Sequence, residues 1–444
     1  MNKNAILPFN FGIYKQKNYN SNLKNISFCK TIKYNDVKNS EVVEIFKELV
    51  KIPSPPLKEE NVANWILEFC KKYKINAILD KYKNVKINIP PTDKSKKSLL
   101  YSAHMDVVGD DSPINIINDG IFIKTDGKRT LGADNKAGVA VALKLAKDII
   151  NKKDIKHGGL EILFTRDEEL GFTGIMNADF KNIQSKYVLV LDEAKLGQFD
   201  NAGAGYTTVN LSLTTPYGGH SGMDISDKNR LNAAKLISQL ITKIPQGVYS
   251  KNKNGVVTSI NVGTIIAGDI QNSAAKIVED KLISNNYIDF FMKNSVTNVI
   301  NTKAKATLSI RSSNRKKENE LRKKLVNLIE KFNKKYENLA FAKISFEELI
   351  PIFEKNKDLT MEKIYKQACK SIGLNPTIGT FPAGAETHIY ATKKNKNNEQ
   401  FLPILLGVAD IFNMHSPLEK INIASLKKGY ELIKEMFFKF NNIT

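Results

Sequence analysis

Three short apolar stretches of this chain each stop abruptly at an acid or an imidazole. Residues 98–103 run into His104, residues 160–165 into Asp167, Glu168 and Glu169, and residues 187–191 into Asp192. Runs of this length and composition predict buried strands. In open α/β sheets, ligands collect at the carboxyl ends of strands. A helical stretch from Asp134 to about Ile150 lies among them. The pattern restricts the fold to the α/β class, with strand ends converging on one acidic pocket. Singly, each residue has a plain reading: an Asp or His at a strand end is usually a turn former, and adjacent glutamates are usually a solvated surface pair. Coincidence at three strand ends, with Asp134 opening a helix, is poorly explained that way.

The residue types point to metal chemistry. His104 and Asp106 stand in Ser-Ala-His-Met-Asp, Asp134 in Leu-Gly-Ala-Asp-Asn-Lys, Glu168 and Glu169 in Arg-Asp-Glu-Glu-Leu-Gly, and Asp192 in Val-Leu-Asp-Glu. A late histidine, His415 in Asn-Met-His-Ser-Pro-Leu-Glu, supplies a second imidazole, in a chain with only five histidines. Two imidazoles with several carboxylates suit a pair of zinc-like ions, which take His nitrogen and carboxylate oxygen at about 2.0–2.2 Å.

With these residues laid out, the chain resembles the di-zinc exopeptidase family of peptidase T, carboxypeptidase G, the dipeptidases and aminoacylase, and peptidase T-like members most of all. The matching segments include Ser-Ala-His-Met-Asp (102–106), the stretch 126–138 around Asp134, the stretch 157–171 around Glu168, Tyr-Val-Leu-Val-Leu-Asp (187–192), Gly-Gly-His-Ser-Gly (218–222), Ile-Asn-Val-Gly-Thr-Ile (260–265), Ser-Ile-Arg-Ser (309–312) and the region around His415. They run in the family's order from about residue 40 to residue 444.

The resemblance implies that Asp134 bridges two divalent ions, zinc by default with cobalt or manganese also suited. His104 and Glu169 or Asp192 would complete one ligand set or the other, and His415 would close the second. Asp106 would accept the other ring N–H of His104, and Glu168 would be the general base. His220 would donate a hydrogen bond to the oxyanion, and Arg311 would pair with a substrate carboxylate. Asn298, Gly384 and Glu386 would lie against substrate. Glu386 stands where the family usually has an aspartate, His388 has no clear counterpart, and residues 271–297 look like an insertion. The fold implied is a mixed-sheet catalytic domain (40–203 and 318–444) carrying an inserted two-layer α/β lid (204–317) that serves for homodimerisation. The activity implied is removal of an N-terminal residue from short peptides, tripeptides foremost. A dipeptidase or N-acyl amino acid amidohydrolase of the same family is the alternative, and a non-catalytic peptide- or polyanion-binding protein a more distant one.

At 444 residues the chain has room for two cores, with 42% hydrophobic and 25% charged residues, ordinary values for a globular protein. It has no apolar run long enough to suggest a membrane span. Residues 1–39, rich in Asn, Lys, Tyr and Ser, read as a disordered extension without a secretory signal; their near lack of acids leaves organelle targeting open. The first helices are expected at about 40–51 and around Trp65 and Cys70. Three scattered thiols, Cys29, Cys70 and Cys369, suit a reducing, cytoplasmic setting. The formal charge of +21 would admit a nucleic-acid partner. The lysines, however, are spread over the chain without a recognised binding motif, so no such partner is expected.

Overall fold

The computed structural model describes residues 40–443 except 153, 253–254 and 271–286. The expected N-terminal extension, with Cys29, and most of the expected insertion lie outside the described residues. The chain divides into two compact units. One takes the chain up to Asn201, Asn356–Phe381 and Ala385 onwards; the other takes Ala202–Lys355 with Pro382–Gly384.

The first unit is built on an eight-stranded mixed sheet. Its strands run in the order Ala77–Leu79, Val85–Ile89, Leu160–Thr165, Leu99–His104, Tyr187–Glu193, Leu402–Gly407, Gln198–Gly203, Thr377–Phe381. The four middle strands from Leu160–Thr165 to Leu402–Gly407 are mutually parallel. All six residues of Leu99–His104 and of Leu160–Thr165 are buried, as expected of parallel strands covered on both faces. Helix Ala133–Ile150 packs on this sheet. It is apolar almost all round, with Val139, Val141, Leu143 and Leu145 fully buried, because helices Glu41–Val50 and Ile423–Ile443 cover it in turn. Each such aliphatic side chain contributes about 1.5–3 kcal/mol by leaving water. The expected helix around Trp65 is Glu60–Lys72, with Cys70 buried and Trp65 packed against the core.

The second unit is a five-stranded antiparallel sheet ordered Gly247–Lys251, Val257–Ala267, Lys303–Ser312, Gly205–Thr214, Phe341–Ile350. Strand Gly205–Thr214 alternates buried with more exposed residues, as a strand covered on one face should. Helix Ala233–Ile241 gives Leu236, Ile237 and Leu240 to this core. The unit runs on past residue 317, where the return to the first unit was expected. Helix Arg315–Lys335 buries Leu321, Leu325, Ile329 and Phe332 in the same core, and strand Phe341–Ile350 pairs along Gly205–Thr214. A lysine-rich helix therefore belongs to the insert because of its apolar stripe.

Candidate metal centre

Strand register sets the site. Leu99 lies opposite both Leu160 and Tyr187, and Ser102 opposite Val190. His104 and Asp192, each two residues further on, therefore reach the same height. His104 Nε2 lies 3.2 Å from Asp134 Oδ1 and 3.3 Å from Asp192 Oδ1. On the other side of Asp134, His415 Nε2 lies 3.0 Å from Oδ2 and 3.1 Å from Glu169 Oε1.

Local backbone carries these groups. Asp134 enters helix Ala133–Ile150 just after Gly132, whose φ of 79° favours glycine. His415 sits between strands Ile411–Phe412 and Lys420–Asn422. The latter pairs with Phe122–Thr125, the strand leading into the Asp134 loop. Both His415 (φ 57°) and Asp167 (φ 58°), which precedes Glu168, adopt the left-handed conformation, which is uncommon for non-glycine residues but enriched for Asp and His.

Asp106 departs from expectation. The nearest acceptor to His104 Nδ1 is the backbone carbonyl of Asp106 at 2.9 Å, with its carboxylate at 3.4 Å. The carboxylate instead accepts the amides of Glu168 and Glu169, each at 3.0 Å. The Asp167 amide donates to buried Glu59 at 3.0 Å, so three successive amides are held by two carboxylates.

The charges are unbalanced. Burial lifts the Asp192 carboxyl to about 8 despite nearby His104. Burial and then Asp134 lift Glu169. Glu168 is raised well above the carboxylate range by burial, with Asp192, Glu169 and Asp106 adding to it against His104. Burial disfavours a proton on His104, yet Asp192, Asp106 and Asp134 hold it there well above the usual range. His415 is raised to about 11 by its bonds to Asp134 and Glu169. Burial opposes ionisation of Asp134, but the two imidazoles hold its pKa low. Burial and mutual repulsion keep these clustered carboxyls protonated, and a nearby cation would favour their ionised forms. Each Nε2 carries at most one proton yet faces two carboxylate oxygens, and Asp134 turns one oxygen to each imidazole. Donor atoms of His104, Asp134 and Glu169 all lie within 4.8 Å of one another. Nitrogen and oxygen donors disposed this way fit divalent cations.

Other expected site residues lie elsewhere. His220 and Asn298 meet within the inserted unit, where His220 pairs with Val299 and the Ser221 amide donates to the Asn298 carbonyl at 2.9 Å. His220 is exposed, and its Nδ1 accepts the Gly222 amide at 3.1 Å. Arg311 stacks over Tyr206 at 4.2 Å in the same unit, and Gly384 clusters with that unit. Glu386 does not offer itself to a substrate: it is 1% exposed and accepts a hydrogen bond from Ser102 Oγ at 3.0 Å, behind the strand that ends in His104. Sequence reasoning passed over Glu59, Lys136 and Glu419, all buried beside the site loops. The sequence shows only that Glu419 stands four residues after His415, within the same short segment.

The profile of Peptidase family M20/M25/M40 matches residues 100–439, most of the chain. The chain belongs to this family. Peptidase T of Bacillus subtilis (strain 168) is 25% identical over 330 residues, which are 72% of this chain and 68% of that protein. Two further curated relatives are matched over only 43% and 45% of their own length. Among solved structures, aminopeptidase PepT from Bacillus cereus ATCC 10987 superposes with a TM-score of 0.74 at 21% identity, over 90% of this chain and 98% of that one. The Bacillus subtilis YXEP protein, described as a dinuclear metal binding peptidase from the M20 family, has a TM-score of 0.64 at 12% identity, over 91% and 98%. The peptidase T-like resemblance thus holds for this M20 member, and so does the mixed-sheet α/β fold with an inserted unit.

Proposed function

We propose that the chain is a metal-dependent aminopeptidase that releases the N-terminal residue from short peptides, tripeptides foremost. The observation that carries this reading is Asp134, whose two oxygens face two separate imidazole–carboxylate groups. His104 and Asp192 would hold one divalent cation, His415 and Glu169 the other, and Asp134 both; zinc is the ion proposed. When bound, such a pair polarises the scissile carbonyl and makes hydroxide available near neutral pH. The chain's own part is proton transfer and alignment. Glu168 takes a proton from the attacking water and delivers it to the amine nitrogen as the C–N bond breaks. Asp106 fixes the turn carrying Glu168 and Glu169 through their amides. His220 and Arg311, on the inserted unit, are proposed to donate to the developing oxyanion and to a substrate carboxylate respectively. A homodimer through the inserted unit and a cytoplasmic setting belong to the same reading. Among the described residues no helix is long and apolar enough to cross a membrane.

The test is hydrolysis of di-, tri- and tetrapeptides and N-acetyl amino acids with added zinc, cobalt or manganese and a chelator control. Chelator-sensitive release of the first residue, fastest on tripeptides, is expected. Preference for dipeptides or acetylated substrates would move the chain to a sister activity. Stoichiometric metal uptake without turnover would leave only binding.

A further inference from the structure

Four residues after His415, Glu419 is 1% exposed. Its carboxylate accepts three donors from the loop leading into Asp134. Oε2 takes the Thr130 hydroxyl and, at 2.7 Å, the Gly132 amide; Oε1 takes the Asp134 amide at 3.1 Å. A buried carboxylate is costly unless its oxygens are satisfied, and here every bond reaches the same five-residue stretch. The loop of His415 thus grips Asp134 at two points: Glu419 holds its amide, while the imidazole faces its carboxylate at 3.0 Å.

The same device recurs across the site. His104 faces the carboxylates of Asp134 and Asp192, and Asp106, two residues on, holds the amides of Glu168 and Glu169. Each candidate ligand histidine is therefore followed by a buried carboxylate that clamps the backbone of acids on a different loop. Buried Lys136, two residues after Asp134, donates to the Ile52 carbonyl.

We infer that Glu419 is a positioning residue: it fixes the Asp134 backbone so that one carboxylate can serve two cations at once. The inference rests on the two-cation reading above. Glu419→Gln replaces one acceptor oxygen by an NH2 that meets an amide or hydroxyl donor. Glu419→Asp keeps the charge and withdraws it by one methylene, away from the Asp134 amide. The full-length protein and both variants are stripped with chelator, checked for folding by circular dichroism, and titrated with zinc by calorimetry. Each folded variant should lose about 10–100-fold in affinity for at least one of the two ions. Its kcat should fall while KM stays near the wild-type value, as for a defect realised in the transition state. A clamp that serves only folding would lower the melting temperature and leave zinc affinity and kcat unchanged; that result overturns the inference. If the glutamine variant does not fold, the aspartate variant carries the comparison. Wild-type titration separates the two claims: fewer than two zinc ions there sinks the two-cation reading, while two ions held at full affinity in the variants sinks the role of Glu419 alone.

Discussion

Among single residues, Glu168 is the proposed base, and Glu386 contributes one part of the pH dependence of the fold. Replacing Glu168 by Ala should cost about 10²–10⁴-fold in kcat, the usual worth of a positioned base, with metal content by elemental analysis unchanged. Retained turnover would remove it from the mechanism. Glu386 is fully buried, and that burial raises its carboxyl to about 7, above the 4.5 of an ordinary glutamate. The native state then holds this proton more tightly than the unfolded chain. Its stabilising effect is complete below about pH 4.5 and is lost as pH climbs through about 7. Glu386→Gln cannot ionise, so in chelator-treated protein its melting temperature relative to wild type should be more favourable at pH 8 than at pH 5. A difference independent of pH would show that Glu386 does not titrate in this window.

At the level of elements, the strands were legible because period and burial agree: Leu99–His104, Leu160–Thr165 and Tyr187–Glu193 all begin and end close to the apolar runs that announce them. Their convergence was legible too, since each run stops at a candidate ligand. What the sequence concealed is long-range. Glu419 and Glu59 carry ordinary surface-type side chains, and only the fold shows that they are buried against loops more than a hundred residues away. The boundary near residue 317 was missed for a similar reason, because helix Arg315–Lys335 is so rich in lysine that its narrow apolar stripe gives no hint of which core it joins. Helix Ala133–Ile150 offers a direct test of close packing. A Cβ on Gly138 would lie 2.5 Å from the Leu191 carbonyl, on the strand that carries Asp192, and would also collide with Asn135 Oδ1. Gly138→Ala should therefore destabilise by about 1–3 kcal/mol, read as a lowered midpoint in denaturant. An unchanged midpoint would mean that this packing is looser than the geometry implies.

For the whole molecule, the proposed cation binding would be linked to folding, since the candidate ligands come from segments as distant as residues 104 and 415. A cation at about 100 times its Kd that binds only the native state adds about 2.7 kcal/mol. Zinc should therefore raise the melting temperature of chelator-stripped protein, and no rise would mean that the acidic cluster is not a cation site. The decisive measurement is the number of metal ions bound per chain in the wild type, His415→Ala and Asp134→Ala, each verified as folded. Two ions in the wild type, one with His415→Ala and fewer than one with Asp134→Ala would establish the shared carboxylate at the heart of the site. A wild type that takes up a single ion, or an Asp134→Ala variant that still holds two, would contradict it.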